Sequence, residues 1–151
     1  MSESRLISEV FIFRGDRFLI LKRASGRAKG WWSPPGGMVD PGEDSTAASV
    51  REVLEETGLR IEQPEILRRW RWQLAADSYV RDITTLTAKA HAGDIRLSDE
   101  HTDWDWISPA EYVQRFCGRR SVELAPDYAG LFVEFRKNCM LIARRMGTSL
   151  D

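Results

Sequence analysis

Three glutamates, Glu52, Glu55 and Glu56, stand at i, i+3 and i+4 of one short stretch. On a helix turning ~100° per residue, that spacing gathers them into an arc of about 100°. Like charges at i, i+4 destabilise a helix by ~0.2–0.5 kcal/mol per pair. Acids near a helix C-terminus also oppose its dipole. Only Arg51 is close enough in sequence to relieve them. A charged helix face is usually just solvated. The other use of such a face is to hold a positive group, and a hard divalent cation with a preference for oxygen is the natural one. With two histidines and two well-separated cysteines in the chain, a His- or Cys-based zinc site is not expected.

The surrounding residues decide between these readings. The order is Gly37, five residues, Glu43, seven residues, then Arg51-Glu52-Val53-Leu54-Glu55-Glu56-Thr57-Gly58-Leu59. This is G-x5-E-x7-R-E-U-x-E-E-x-G-U, with U aliphatic. At average residue frequencies a chance match has odds on the order of 10⁻⁷ or less. The stretch resembles the Nudix box at every defined position. Trp32 to Gly37 is similar to the family's Trp-x-x-Pro-Gly-Gly lead-in, and Leu21-Lys22-Arg23 resembles the end of the strand before it. Asp99-Glu100-His101 and Trp104 to Pro109 resemble its downstream loop and strand. Roughly residues 6 to 115 can be laid on the family pattern.

The resemblance implies an α/β fold, a mixed sheet between helices in an α/β/α sandwich, with the box forming a loop-helix-loop. It implies Mg²⁺ or Mn²⁺ as cofactor, held by Glu52, Glu55, Glu56 and Glu100 with a carbonyl near Gly36. Gly36-Gly37 would supply the sharp turn this requires. Glu52, Glu100 and Arg51 make up the catalytic set, with Glu52 or Glu100 as base. Arg51 with Glu43 is expected to act chiefly as an ion pair locking loop to helix, and Gly58 to end that helix. Arg23 matches a position that touches substrate phosphate, with Lys22, Arg27 and Lys29 as further cations near it. The implied reaction is metal-dependent hydrolysis of a pyrophosphate bond in a nucleoside diphosphate linked to another group.

The elements that would position these residues can be read locally. Leu6 to Phe13 and Phe18 to Leu21, around the turn Arg14 to Arg17, read as a β-hairpin. Ala24 to Gly30 reads as a basic surface loop. Asp44 or Ser45 can cap a helix over Ala47 to Glu56, with Ala47, Val50, Val53 and Leu54 expected to pack on a sheet. Glu65 to Gln73, Tyr79 to Ala90 and Trp104 to Ile107 read as strands. In the first of these, Arg68, Trp70 and Trp72 share one face and Arg69 and Arg71 the other, which leaves Trp72 as a candidate to stack on a base. Ser108-Pro109 opens one helix. A last helix over about Asp127 to Arg145 carries the stripe Leu131, Phe135, Cys139 and Ile142. That broad face either closes the core or forms a homodimer contact.

The 151 residues fit one domain, 1–151, and 22 basic against 23 acidic side chains leave a net charge of -1. This near-balance gives nucleic acid little support as a partner and leaves a small nucleotide as the expected one. The first residues lack the apolar stretch of a leader, and no run approaches the ~18–20 apolar residues of a membrane span. Cys117 and Cys139 read as free thiols of a cytoplasmic protein. A nucleoside triphosphate is the favoured substrate, with a sugar nucleotide of GDP-sugar or ADP-ribose type as the alternative. A non-catalytic nucleotide-binding module and an enzyme acting on RNA ends are the other readings. The family's ADP-ribose and dinucleotide subgroups carry a Pro or Tyr some sixteen residues past the box. Here Ala75, Ala76 and Asp77 occupy that neighbourhood.

Overall fold

The computed structural model describes residues 3–124 and 126–150. Met1 and Ser2, on which part of the leader reading rests, lie outside the described residues. Seven strands form one mixed sheet: β1 (Glu3–Arg14), β2 (Arg17–Arg23), β3 (Trp32–Ser33), β4 (Gly36–Met38), β5 (Ile61–Trp72), β6 (Tyr79–Ala90) and β7 (His101–Ile107). The spatial order is β3-β2-β1-β6-β5, with β4 on β1 and β7 on β2. β1 and β6 run parallel, in register from Glu3↔Tyr79 to Phe13↔Lys89. The α-helices among the described residues are α1 (Ser45–Thr57), α2 (Pro109–Phe116), α3 (Arg119–Leu124) and α4 (Ala129–Arg145).

Alternation along the strands sorts the core into two layers. Val10, Ile12, Leu19, Leu21, Leu86 and Ala88 pack with Val53 of α1. Phe11, Phe18, Ile20 and Ile107 pack on the opposite side with Tyr112 of α2 and Cys139 and Ile142 of α4. The sheet is thereby covered on both faces, as the α/β/α reading requires. α3 is an element that no local sequence signal marked.

The hairpin is shorter in pairing than in chain. β1 and β2 pair only at Phe13↔Phe18 and Arg14↔Arg17. Beyond that they diverge. β1 continues against β4, through Ile7↔Met38, Ser8↔Gly37 and Glu9↔Gly36, and β2 against β3, through Leu21↔Ser33 and Lys22↔Trp32. This parting of two strands opens a notch in the sheet and lays Gly36-Gly37 along its side.

α1 begins where Asp44 caps it, its carboxylate accepting from Ala47 N at 2.7 Å. It ends at Gly58, whose φ of 75° suits the left-handed cap. The expected packing face is corrected here. Val50 and Leu54 are exposed, at 42% and 44%, and Ala47 is exposed as well. The buried arc is Ala48, Ser49, Val53, Glu56 and Thr57. The small residues Ala48 and Ser49 bring the helix close to the sheet, and the rotation this demands carries Glu52 and Glu56 inward.

Candidate active site

A cleft of about 680 Å³ lies over the notch, walled by β1, β4, α1, β5, β6 and the segment before β7. Glu52, Glu56 and Glu100 line it together with Gly36, Gly37, Arg23 and Trp72. These seven residues and Arg27, all singled out from the sequence, thus meet in one cavity. Glu55 does not. Its side chain is 59% exposed, against 14% for Glu52, and it pairs with Arg51 Nη1 at 3.3 Å. As the side chains stand, no three acidic, histidine or cysteine groups among the described residues form a ready ion cage.

Both glycines are dictated by crowding. A Cβ on Gly36 would lie 2.3 Å from the Ser8 carbonyl oxygen, and one on Gly37 would lie 2.5 Å from the Glu52 carboxylate. At Gly36 the obstacle is rigid backbone, so only glycine fits there; at Gly37 it is the flexible end of the Glu52 side chain, which a Cβ would displace. The backbone group that Gly36 is seen to offer is its N–H, which donates to Glu56 Oε2 at 3.4 Å.

Glu56 is 2% exposed. Burial, then the adjacent Glu52 charge and its hydrogen bond with Glu52, then Glu100, push its carboxyl up to about 9. No described Arg or Lys pairs with it; the Gly36 amide is its one other partner. Two carboxyls in hydrogen-bond contact must share a proton, or else share a cation.

Arg51 binds the box together. Its Nε and Nη2 reach the Glu43 carboxylate at 3.1 and 2.6 Å, its Nη1 reaches Glu52 at 3.0 Å, and its Nη2 also donates to the Met38 carbonyl at 3.0 Å. The fork geometry of guanidinium suits this many-sided role. The pairing lowers the Glu43 pKa and raises that of Arg51. Loop, helix and one cleft acid are therefore tied to a single side chain.

The NUDIX domain profile matches residues 5–126 of the chain. The chain belongs to the Nudix family. Among curated relatives, it is 35% identical over 101 residues to the asymmetrical bis(5'-nucleosyl)-tetraphosphatase of Mus musculus, covering 64% of this chain and 67% of that one. It is 30% identical over 128 residues to a MutT-like protein of Streptomyces ambofaciens, covering 82% and 77%. Among solved structures, the MutT NUDIX hydrolase of Burkholderia pseudomallei superposes with a TM-score of 0.67 at 29% identity, covering 72% and 86%. This Nudix chain is a hydrolase that cleaves a pyrophosphate linkage.

Other cleft residues of this Nudix protein escaped the sequence reading. Trp31 stacks on Phe132 with ring centroids 5.3 Å apart, and Trp72 stacks on Tyr128 at 5.8 Å. Asp77 bridges Arg27 at 2.7 Å and Arg81 at 2.6 Å, which engages Arg27 rather than leaving it a loose cation. Lys22 and Lys29 do not line the cleft. Glu9 lies on its floor, where burial raises its pKa against the opposing pull of Thr85, Arg68 and Asn138. A single charged residue inside the otherwise uncharged stretch Leu6 to Phe13 was the available signal for Glu9. Nothing local marks Trp31 or Tyr128, because long-range packing brings them to the cleft.

Proposed function

We propose that this Nudix hydrolase uses Mg²⁺ or Mn²⁺ to cleave a nucleoside polyphosphate, with a nucleoside triphosphate as the first candidate. The observation that carries this is Glu56, a buried carboxyl facing Glu52 with no cationic side chain of a described residue against it. The donor set fits a hard cation. It is all oxygen, and a cation would relieve the repulsion between the buried Glu56 and its neighbour Glu52. Glu52, Glu56 and Glu100 would hold the ion. Glu55, on the next turn of the same helix, would join only after leaving Arg51. Bound there, the ion supplies positive charge to the phosphate oxygens and acidifies water.

Arg23 orients the phosphate chain at the rim of the cleft. Glu100 or Glu52 takes the proton from the attacking water, and Arg51 keeps Glu52 aimed. Trp72 offers an aromatic face to the base. A dinucleoside tetraphosphate is the second reading, favoured by the name of the mouse relative, and it runs against the missing Pro or Tyr near Ala75. The unpaired Cys117 and Cys139 agree with a cytoplasmic setting. Among the described residues no helix is long and apolar enough to cross a membrane.

The test is a panel of nucleoside triphosphates, dinucleoside polyphosphates, sugar nucleotides and ADP-ribose, with Mg²⁺ or with EDTA. Turnover of a triphosphate that EDTA abolishes, and that Glu52→Gln cuts by at least a hundredfold, is expected. Full activity of both Glu52→Gln and Glu55→Gln would refute the metal assignment.

A further inference from the structure

Glu9 sits on the α4 side of β1, at the foot of the cleft beside Trp70. Its Oε1 accepts from Thr85 Oγ1 at 2.6 Å and from Asn138 Nδ2 at 3.2 Å. Both donors are fully buried and are themselves fixed. Thr85 Oγ1 receives Trp70 Nε1 at 2.9 Å, and Asn138 Oδ1 receives Arg68 Nε at 2.6 Å. One carboxylate oxygen is therefore filled from behind. Oε2 accepts nothing from any described residue, and it is not among the buried polar atoms that lack a partner, so it opens to the cleft. A carboxyl kept only for structure would engage both oxygens. One clamped by a single oxygen, with the other facing a cavity, is a preorganised acceptor.

We propose that Glu9 Oε2 accepts N–H groups of the substrate's nucleobase, making Glu9 a specificity-determining residue that favours a guanine edge over an adenine edge. The inference rests on the nucleotide reading above. A carboxylate repels phosphate, so the polyphosphate belongs with Arg23 at the rim and the base with Glu9 at the floor. Trp70 and Phe135 line the cleft with it and offer flat apolar surface. Guanine sets a ring N–H beside a 2-amino group, two donors toward one oxygen. Adenine sets a ring-nitrogen lone pair beside its amino group, which would face Oε2 with like charge. Sites built on a buried polar group reject analogues that leave it unpaired.

The deciding experiment compares kcat/KM for GTP, ITP and ATP in the wild type and in Glu9→Gln. The wild type is expected to prefer GTP over ATP at least tenfold, with ITP between them. Glu9→Gln is expected to reduce the GTP/ATP ratio at least tenfold, because an amide can donate to adenine's ring nitrogen. A merely structural Glu9 would lower all three together and leave the ratio alone, and that result overturns the proposal. Should Glu9→Gln not fold, a wild-type GTP/ATP ratio near one overturns it, and a graded GTP, ITP, ATP series upholds it. If no nucleotide is hydrolysed, the catalytic reading fails separately, and tryptophan fluorescence titration with GDP and ADP then decides. Tenfold tighter GDP binding that Glu9→Gln erases upholds the role of Glu9, and equal or absent binding removes it.

Discussion

At the scale of single residues, the cleft trades stability for reactivity. Glu56 has a folded pKa above its unfolded value, so the folded state binds the extra proton. Its cost to stability is absent below the unfolded carboxylate range and grows as pH rises from about 4.5 toward about 9. Glu56→Gln removes that cost. In EDTA the variant should melt higher than wild type at pH 8.5, by a few degrees, and the gap should narrow toward pH 5. Mg²⁺ is expected to raise the Tm of the wild type and to leave that of the variant unchanged, and the variant should lose at least a hundredfold in turnover. A Glu56→Gln protein that melts lower at pH 8.5 would contradict the reading of Glu56 as an unrelieved acid. Gly37→Ala probes the same spot from the loop side. Its Cβ meets the far end of a flexible Glu52 side chain, so Tm should move little while turnover falls at least tenfold. Gly36→Ala meets the rigid Ser8 carbonyl instead, and should lower Tm by several degrees.

At the scale of elements, α1 shows both what periodicity reveals and what it hides. Its limits were legible, because Asp44 and Gly58 satisfy the exposed backbone groups at its ends. The three glutamates and the arginine were legible as a set, because their spacing has little use elsewhere. The buried face was not. Reading apolar residues as inward placed Val50 and Leu54 in the core, and both are exposed. Of the expected face only Val53 is buried, and Ala48, Ser49 and Thr57 flank it at the close approach that puts Glu52 and Glu56 over the cleft. Glu55 likewise shares the arc yet faces solvent and Arg51, since a wheel cannot say where a sheet edge falls. Arg51 holds the helix to the loop through contacts that lysine cannot reproduce. Arg51→Lys should cost about 1–3 kcal/mol, or roughly 2–12 °C in Tm for a chain of this size. Turnover should fall further than that loss explains when measured well below Tm. Equal turnover in Arg51→Lys would reduce the four-way clamp to a surface pairing of no functional weight.

At the scale of the whole molecule, two distant segments must meet for the cleft to exist. β1 and β6 run parallel through eleven register pairs, and no local signal specifies that pairing. α4 comes from the other end of the chain, yet its Asn138 reaches Glu9 of β1 and Arg68 of β5. Arg68 also binds the Glu134 carboxylate one turn away on the same helix. The apolar stripe of α4 read from the sequence supplies Cys139 and Ile142 to the core, but the polar network beside that stripe fixes where the helix lies along the sheet. Buried polar networks of this kind are costly to break in part, because each remaining member loses its partner while staying out of water. Asn138→Ala strips one donor from Glu9 and one acceptor from Arg68 at once. It should destabilise the fold by about 2–4 kcal/mol, which is roughly 4–16 °C in Tm. Asn138→Asp keeps the acceptor for Arg68 but sets a second carboxylate against Glu9. It should destabilise more at pH 8 than at pH 5, because repulsion between the two carboxylates requires both to be ionised. Thermal unfolding of both variants across that range separates the explanations. A loss in Asn138→Asp equal at all pH values would show that the missing amide donor to Glu9, and not charge repulsion, is what the fold loses. A loss that deepens with pH ties α4 to the charge on the floor of the cleft.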